Sequence, residues 1–425
     1  MAPHFLPAFL PSVHRARLWA CHLPEFGWEP IILTTTPDQY ECQIDNDLLS
    51  LLPECLEVIR TRAFPTRPLR LVGDIAIRSL PWYFRAVRDL NRRRKIDFMH
   101  ITVPAFPAAL LGPRVTRELG IPYGVDYIDP WVPETPRDDR FLSKGWLAQQ
   151  MNRVLEPIAL RSVRLITGIN EAYFRSVFIR NPQLRGRVIT AGMPYGGSER
   201  DMDALERKPR EPFLFNPGDG NMHLIYAGAL LPKGFQVLDR LLSALVIIRN
   251  RNPDLASQLK IHFVGTGLYE NDATRGHVVQ PFIQRHQLAD MVEERPSRIS
   301  YLDVLNHLRV SQAILVLGST ESHYSPSKVY QAVMARRPVF ALLHQDSTAV
   351  STLRESGAGE MVTFTAEQPP PPEPVADALE HFLCEIPTWK REVNWEAFSK
   401  VSARESSRLL AAALDRAIVP AVEPM

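Results

Sequence analysis

Two lysines stand in settings that suit a phosphate. The first, Lys328, lies in Glu321-Ser-His-Tyr-Ser-Pro-Ser327-Lys328-Val-Tyr-Gln331, just after the apolar run Ala313 to Leu317. Ser-Pro-Ser-Lys reads as a helix start, with a hydroxyl to cap and a proline in the first turn. Open backbone N–H groups at such an end favour an anion, and Lys328 adds a full positive charge. The second, Lys233, lies about a hundred residues earlier in Leu224-Ile-Tyr-Ala-Gly228-Ala-Leu-Leu-Pro-Lys233-Gly234. A strand runs into Gly228, and an amphipathic helix follows through Leu238, Leu241, Leu242 and Leu245. This is not a P-loop, because no Ser or Thr follows the lysine to hold magnesium. Gly228, where backbone can approach a ligand, and Lys233 at a helix start suit a diphosphate. The plainer reading is a glycine turn and a solvated lysine.

Other residues sit where α/β proteins place ligand groups, just past a strand. Asp126, Asp129 and Trp131 follow the predicted strand at Tyr123, and His100 ends the one at Phe98. A carboxylate there could orient or deprotonate a hydroxyl, and an indole could stack on a sugar face. The competing reading makes Asp129-Pro130 a turn, Trp131 a core anchor and His100 a structural residue. Other chemistries lack their signatures. There is no His-Glu-x-x-His, no Gly-x-Ser-x-Gly and no dinucleotide glycine triplet, since Gly265-Thr-Gly267 lacks the third glycine.

Short apolar runs alternating with helical segments must position these groups, which is an α/β pattern. The spacing predicts strands at 31–33, 56–59, 98–101, 123–127, 165–168 and 187–190, then at 223–227, 260–264, 313–317, 338–342 and 360–363. Length supports two domains, each large enough for its own core: 1–195, then a linker at 196–221, then 222–390. Residues 391–425 carry Trp395, Phe398 and a leucine- and alanine-rich run, read as one long amphipathic helix. The Pro-rich segment 368–374 reads as a stiff surface loop. The start is unusual: Met1-Ala-Pro-His4 leads almost directly into a loop at 5–13, so the first strand reads as a stub or as cut short. Hydrophobic content of 45% with 23% charged residues argues against global disorder, and a net charge of +2 gives no general case for polyanion binding. The four cysteines are scattered, which implies reduced thiols in a cytoplasmic setting, and no apolar run is long enough to span a bilayer.

The ordered set of segments resembles family 4 glycosyltransferases of the GT-B type. It comprises Leu224-Ile-Tyr-Ala-Gly228, His262-Phe-Val-Gly265-Thr-Gly267, Arg298-Ile-Ser-Tyr301 and Pro326-Ser-Lys328-Val-Tyr-Gln331 with Arg337-Pro338. In the N-terminal half it adds Pro24-Glu-Phe-Gly-Trp28 and Ile121-Pro-Tyr-Gly-Val-Asp126-Tyr-Ile-Asp129-Pro-Trp131. The resemblance implies two Rossmann-like domains facing across a cleft, with a C-terminal helix crossing back to the N-terminal domain. Trp395 and Phe398 would anchor that crossing; the alternative is a core helix of the second domain. It also implies retaining transfer of a hexose from a nucleotide sugar to a glycan or lipid-linked acceptor, with no metal. Donor contacts fall to Gly228, Lys233, Gly265, Tyr301 (near the base), Glu321, Ser327, Lys328 and Gln331. Acceptor-side contacts fall to His14, Arg15, Asp126 and Trp131, and catalytic roles to Asp129, His100 and Lys328.

The chain departs from the family pattern in two places that matter. Ala229 stands where many members carry an arginine, and Gln331 where a glutamate normally accepts from the ribose hydroxyls. These departures keep open a non-catalytic nucleotide-sugar-binding protein; a nucleotide-sugar epimerase of the same fold is a separate alternative. Between Arg60 and Lys95 arginines dominate and Leu80-Pro-Trp-Tyr-Phe84 is interleaved, which suits an anionic membrane surface at the inner face. The other reading is a solvated helix face. No nucleic-acid motif accompanies the patch.

Overall fold

The computed structural model describes residues 1–66, 73–103, 105–132, 142–267, 276–365, 368 and 370–419. The chain forms two compact units, 1–195 with 403–425, and 196–402. Both are parallel α/β sheets, so the expected pair of Rossmann-like units is what is observed.

In the first unit β1 (Ile31–Thr35) pairs with β2 (Glu57–Thr61), and β3 (Met99–Thr102), β4 (Tyr123–Tyr127), β5 (Leu165–Gly168) and β6 (Ile189–Gly192) form a four-stranded sheet in that order. The residues that open the chain join the two sheets. Ala2 N–H donates to the Leu33 carbonyl at 3.0 Å, and the Thr102 N–H donates to the Met1 carbonyl at 2.9 Å. The opening segment therefore acts as a strand stub between β1 and β3, which completes the usual doubly wound order. β4 and β5 are buried on both faces, as parallel strands covered by helices must be.

In the second unit the order is β12-β11-β10-β7-β8-β9, all parallel. The strands are β7 (Met222–Ala227), β8 (Leu259–Val264), β9 (Val292–Arg295), β10 (Ala313–Leu317), β11 (Val339–His344) and β12 (Gly359–Phe364). The chain reverses its strand order between β7 and β10, the place where open α/β sheets open a crevice at their carboxyl ends. β9 was not legible in the sequence. Val-Glu-Glu-Arg is a charged edge strand with only Val292 buried, so no apolar run announces it.

Several expectations are corrected. The segment 196–221 is not a free linker. Its helix Glu199–Arg207 lies on helix Tyr301–Val310, where Asp201 accepts the Tyr301 hydroxyl at 2.7 Å. Further along, the Phe213 and Leu214 N–H groups both donate to His307 Nε2. The C-terminal stretch is two helices, Trp395–Ser399 and Ala403–Ile418, and only the second belongs to the first unit. Phe398 and Trp395 stay in the second unit, where a Cβ on Gly197 would meet the Phe398 ring at 3.0 Å. The anchors on the first unit are Leu410, Leu414 and Ala417, packed with Trp19, Leu165 and Met193. Two indole N–H groups fix this helix: Trp19 donates to Ser406 Oγ and Trp28 to Asp415 Oδ1. In the Pro-rich run, Pro372 to Pro374 open helix Pro372–Glu385 rather than a loop, since a proline costs nothing in a first turn. All four cysteines are free thiols. No helix among the described residues is long and apolar enough to cross a membrane.

Candidate functional site

The second unit gathers the donor-side residues at the carboxyl ends of β7, β8 and β10. Gly228 follows β7 with φ +122°, a backbone conformation that side chains rarely tolerate, and Gly265 follows β8 with φ +69°. Their ladder bonds continue the sheet: the Gly228 N–H donates to the Val264 carbonyl and the Gly265 N–H to the Arg295 carbonyl, both at 2.8 Å. The two glycines are neighbours, and the Gly228 nitrogen lies 3.9 Å from where a Gly265 Cβ would be. Lys328 reaches across from the β10 side. Its Nζ would stand 3.4 Å from a Gly228 Cβ and lies 3.7 Å from the centre of the Tyr226 ring. The nitrogen is buried and has no hydrogen-bond partner among the described residues. Burial lowers its pKa from 10.5 to about 7. A ring face offsets part of the cost of burying an ammonium, but it supplies no acceptor for the three N–H donors. The arrangement is therefore short of an anion at this point.

The other donor-side candidates are placed as follows. Lys233 and Glu321 meet each other, with Nζ and Oε1 3.1 Å apart, and both remain partly exposed. Glu321 is also held by its backbone, whose N–H donates to Ser319 Oγ. Ser327 precedes a helix of only seven residues, Lys328–Met334, and makes no capping bond, so the capped helix start expected there is absent. Gln331 is half-buried on that helix. Tyr301 is corrected outright: it is 7% exposed and its hydroxyl is engaged by Asp201, so it is a structural staple rather than a contact to a base. Arg298, which the sequence reading did not single out, lies against Gly265, with its Cγ 3.6 Å from where a Cβ there would be. Only the position of an arginine three residues before a helix hinted at it.

The acceptor-side candidates in the first unit part into buried and accessible. Arg15 and Asp126 are both fully buried and form a bidentate pair, Nε to Oδ2 at 2.7 Å and Nη2 to Oδ1 at 3.0 Å. Arg15 Nη1 donates to the Met193 and Pro194 carbonyls, and the guanidinium lies over the Trp19 ring. Asp126 also accepts from Thr167 Oγ1 at 2.7 Å, and Thr167 in turn faces His100 Nε2 at 3.1 Å. Arg15, Asp126, Thr167 and His100 thus form one satisfied internal chain. This corrects Arg15 and Asp126 as ligand contacts and His100 as a catalytic residue; burial lowers the His100 pKa to about 4. Trp131 is 1% exposed and stacked on Phe106, so it offers no face to a sugar. Asp129 is exposed, and His14 faces Arg17 at 3.3 Å. His4, absent from the sequence candidates, lines a water-sized hollow of about 10 Å³ with Ser12 and Thr102 at the carboxyl end of β3. Burial and the charge of Arg78 lower its pKa to about 4, so its imidazole is neutral at pH 7.

The basic stretch 60–95 is largely spoken for. Arg60 and Arg78 donate to backbone carbonyls, Arg94 pairs with Glu29 and Glu57, and Lys95 pairs with Asp97. Tyr83 and Phe84 are buried, leaving Trp82 against the exposed Phe64 with Arg62 and Arg85 exposed nearby in sequence. Arg67 and Arg70 lie outside the described residues.

No protein-family model matches the chain, and no curated protein matches it by sequence. Solved structures do match in fold. HepE of Anabaena, solved with UDP-glucose, is 17% identical over 97% of this chain and 96% of its own, with a TM-score of 0.54. Sucrose-phosphate synthase of Thermosynechococcus elongatus is 14% identical over 96% of this chain and 88% of its own, at 0.54. A UDP-forming trehalose-phosphate synthase of Burkholderia xenovorans is 16% identical over 81% and 79%, at 0.56. These neighbours are glycosyltransferases of the GT-B type, and the fold of this chain is theirs.

Proposed function

We propose that the protein is a glycosyltransferase that moves a hexose-type sugar from a nucleotide sugar to a glycan or lipid-linked acceptor, with retention. One observation carries the reading: the buried Lys328 ammonium beside Gly228, without a hydrogen-bond partner among the described residues, at the switch point of the second sheet. A diphosphate there supplies the missing acceptors, and positive charge at that place stabilises it as the leaving group. Lys233, half-exposed and paired with Glu321, exchanges one carboxylate for phosphate oxygens when the donor binds. Gly228 and Gly265 leave room for the donor against the backbone. The neighbours support the substrate class, since HepE was solved with UDP-glucose and the trehalose-phosphate synthase is UDP-forming. Asp129, exposed after β4, is the carboxylate left to orient the acceptor. No metal is part of this proposal, because lysine supplies the charge.

The test is a thermal-shift screen against UDP-, GDP- and ADP-sugars, followed by nucleoside diphosphate release with glycan and polyprenyl-phosphate acceptors. Stabilisation by one nucleotide series and acceptor-dependent release support the reading. Stabilisation without release by any donor leaves a binding protein, the alternative that Ala229 and Gln331 favour. The exposed Phe64, with the half-buried Trp82 packed on it and Arg62 and Arg85 nearby in sequence, suits an anionic bilayer. Absence of co-sedimentation with anionic liposomes at low salt excludes that contact.

A further inference from the structure

The second sheet carries another cavity, at its amino-terminal edge. It lies by the residues that lead into β11 and β12, Arg336 and Arg337 before β11 and Ala358 before β12, and by the connection from Trp389 to Trp395. Gly228, Gly265 and Lys328 belong to the carboxyl edge, so this is a separate place. Its volume is about 390 Å³, within the range of small-ligand sites.

Three arginines and two tryptophans line it, in two stacked pairs. The Arg336 guanidinium lies 4.9 Å from the centre of the Trp395 ring, and that of Arg391 lies 4.6 Å from Trp389. Arg391 is neutralised, because its Nη2 contacts Glu360 at 2.8 Å and Glu385 at 3.0 Å. Those two carboxylates hold it in position over the indole. Arg336 and Arg337 have no such partner and make no ion pair among the described residues. Arg337 spends only its Nε, on the Arg309 carbonyl at 2.6 Å. Its pKa is lowered by burial and by the nearby charge of Arg309, and Glu392, the carboxylate on the lining, makes no ion pair with it. Arg336 is also held in the left-handed region, φ +55°, a conformation that arginine adopts only at a cost and glycine does not resist. Two guanidinium forks that no carboxylate holds suit a phosphate, which accepts from both in parallel. Indole walls suit the ring that carries it.

We infer that this cavity binds a phosphomonoester borne on a sugar or nucleoside ring, at a site distinct from the donor diphosphate. The experiment is intrinsic tryptophan fluorescence of the whole protein titrated with inorganic phosphate, glucose 6-phosphate and AMP. Variants are Arg336→Gly and Arg337→Gln, with Trp395→Phe to identify the reporter and Lys328→Met to separate the sites. The expected result is saturable quenching by a ring phosphate at submillimolar concentration. It weakens at least tenfold in both arginine variants and is unchanged in Lys328→Met. Arg336→Gly should melt at or above the wild-type temperature, since it relieves the strained backbone, so lost binding there does not reflect unfolding. Quenching by inorganic phosphate as tight as by the ring phosphates would remove the ring from the proposal. No saturable quenching by any probe at millimolar concentration would overturn it, as would quenching lost in Lys328→Met but kept in both arginine variants.

Discussion

Each unit buries a cation near the carboxyl edge of its sheet, and the two are treated in opposite ways. Arg15 is given a bidentate carboxylate, two carbonyls and an indole face. Lys328 is given a phenol ring and, among the described residues, no hydrogen-bond acceptor. A buried charge whose donors are all satisfied holds a fold together; one left without acceptors is a place for a ligand. The difference separates scaffold from site more sharply than residue type does, because sequence alone offered both cations as contacts to substrate.

The largest effect should come from breaking the satisfied pair. Asp126→Ala leaves Arg15 buried with only carbonyl partners and should cost about 3–5 kcal/mol of stability in chemical denaturation. Lys328→Met should do the reverse, leaving stability equal or higher while nucleoside diphosphate affinity falls. The loss of charge-assisted hydrogen bonds of about 1.5–3 kcal/mol corresponds to roughly ten- to a hundredfold, measured by calorimetry. If Lys328→Met instead destabilises as Asp126→Ala does, the contrast between the two cations fails. Gly228→Ala is next. It forces a side chain into φ +122° and sets a methyl 3.4 Å from Lys328 Nζ. The expected cost is about 1–2 kcal/mol of stability, with weaker anion binding besides. The smallest effect sharpens the correction at Tyr301. Tyr301→Phe removes the bond to Asp201 and should cost about 1 kcal/mol. It should leave the preference among UDP, GDP and ADP unchanged, which competition binding would show.

Much of the scaffold was legible because buried parallel strands write themselves as apolar runs. Ala313–Leu317 and Tyr123–Tyr127 fall where periodicity puts them. The edge strand Val292–Arg295 escaped because half of its side chains face water. The break at 400–402 escaped because both helices carry the same apolar period, and only packing against Gly197 on one side and Trp19 on the other tells them apart. In the site, Lys328 and Gly228 were readable as a lysine and a glycine in loops after strands. What the sequence could not show was burial. Asp126 and Asp129, three residues apart, look alike in print, yet one is sealed against Arg15 and the other is open.

The lowered pKa of Lys328 gives the most direct test. In the unfolded chain a lysine keeps its proton to about 10.5, whereas here it lets go near 7. Between those values the unfolded state binds the extra proton, so this group's penalty to stability is full below about pH 7 and fades as pH rises toward 10.5. An anion binds the ammonium, so above pH 7 a nucleoside diphosphate must bring a proton with it. The measurement is calorimetric binding of the preferred nucleoside diphosphate in buffers of different ionisation enthalpy, at about pH 6 and about pH 8, for wild type and Lys328→Met. The expected result is uptake of close to one proton near pH 8, almost none near pH 6, and none at either pH in the variant. Tight binding at about pH 8 without proton uptake, or undiminished in Lys328→Met, would contradict it.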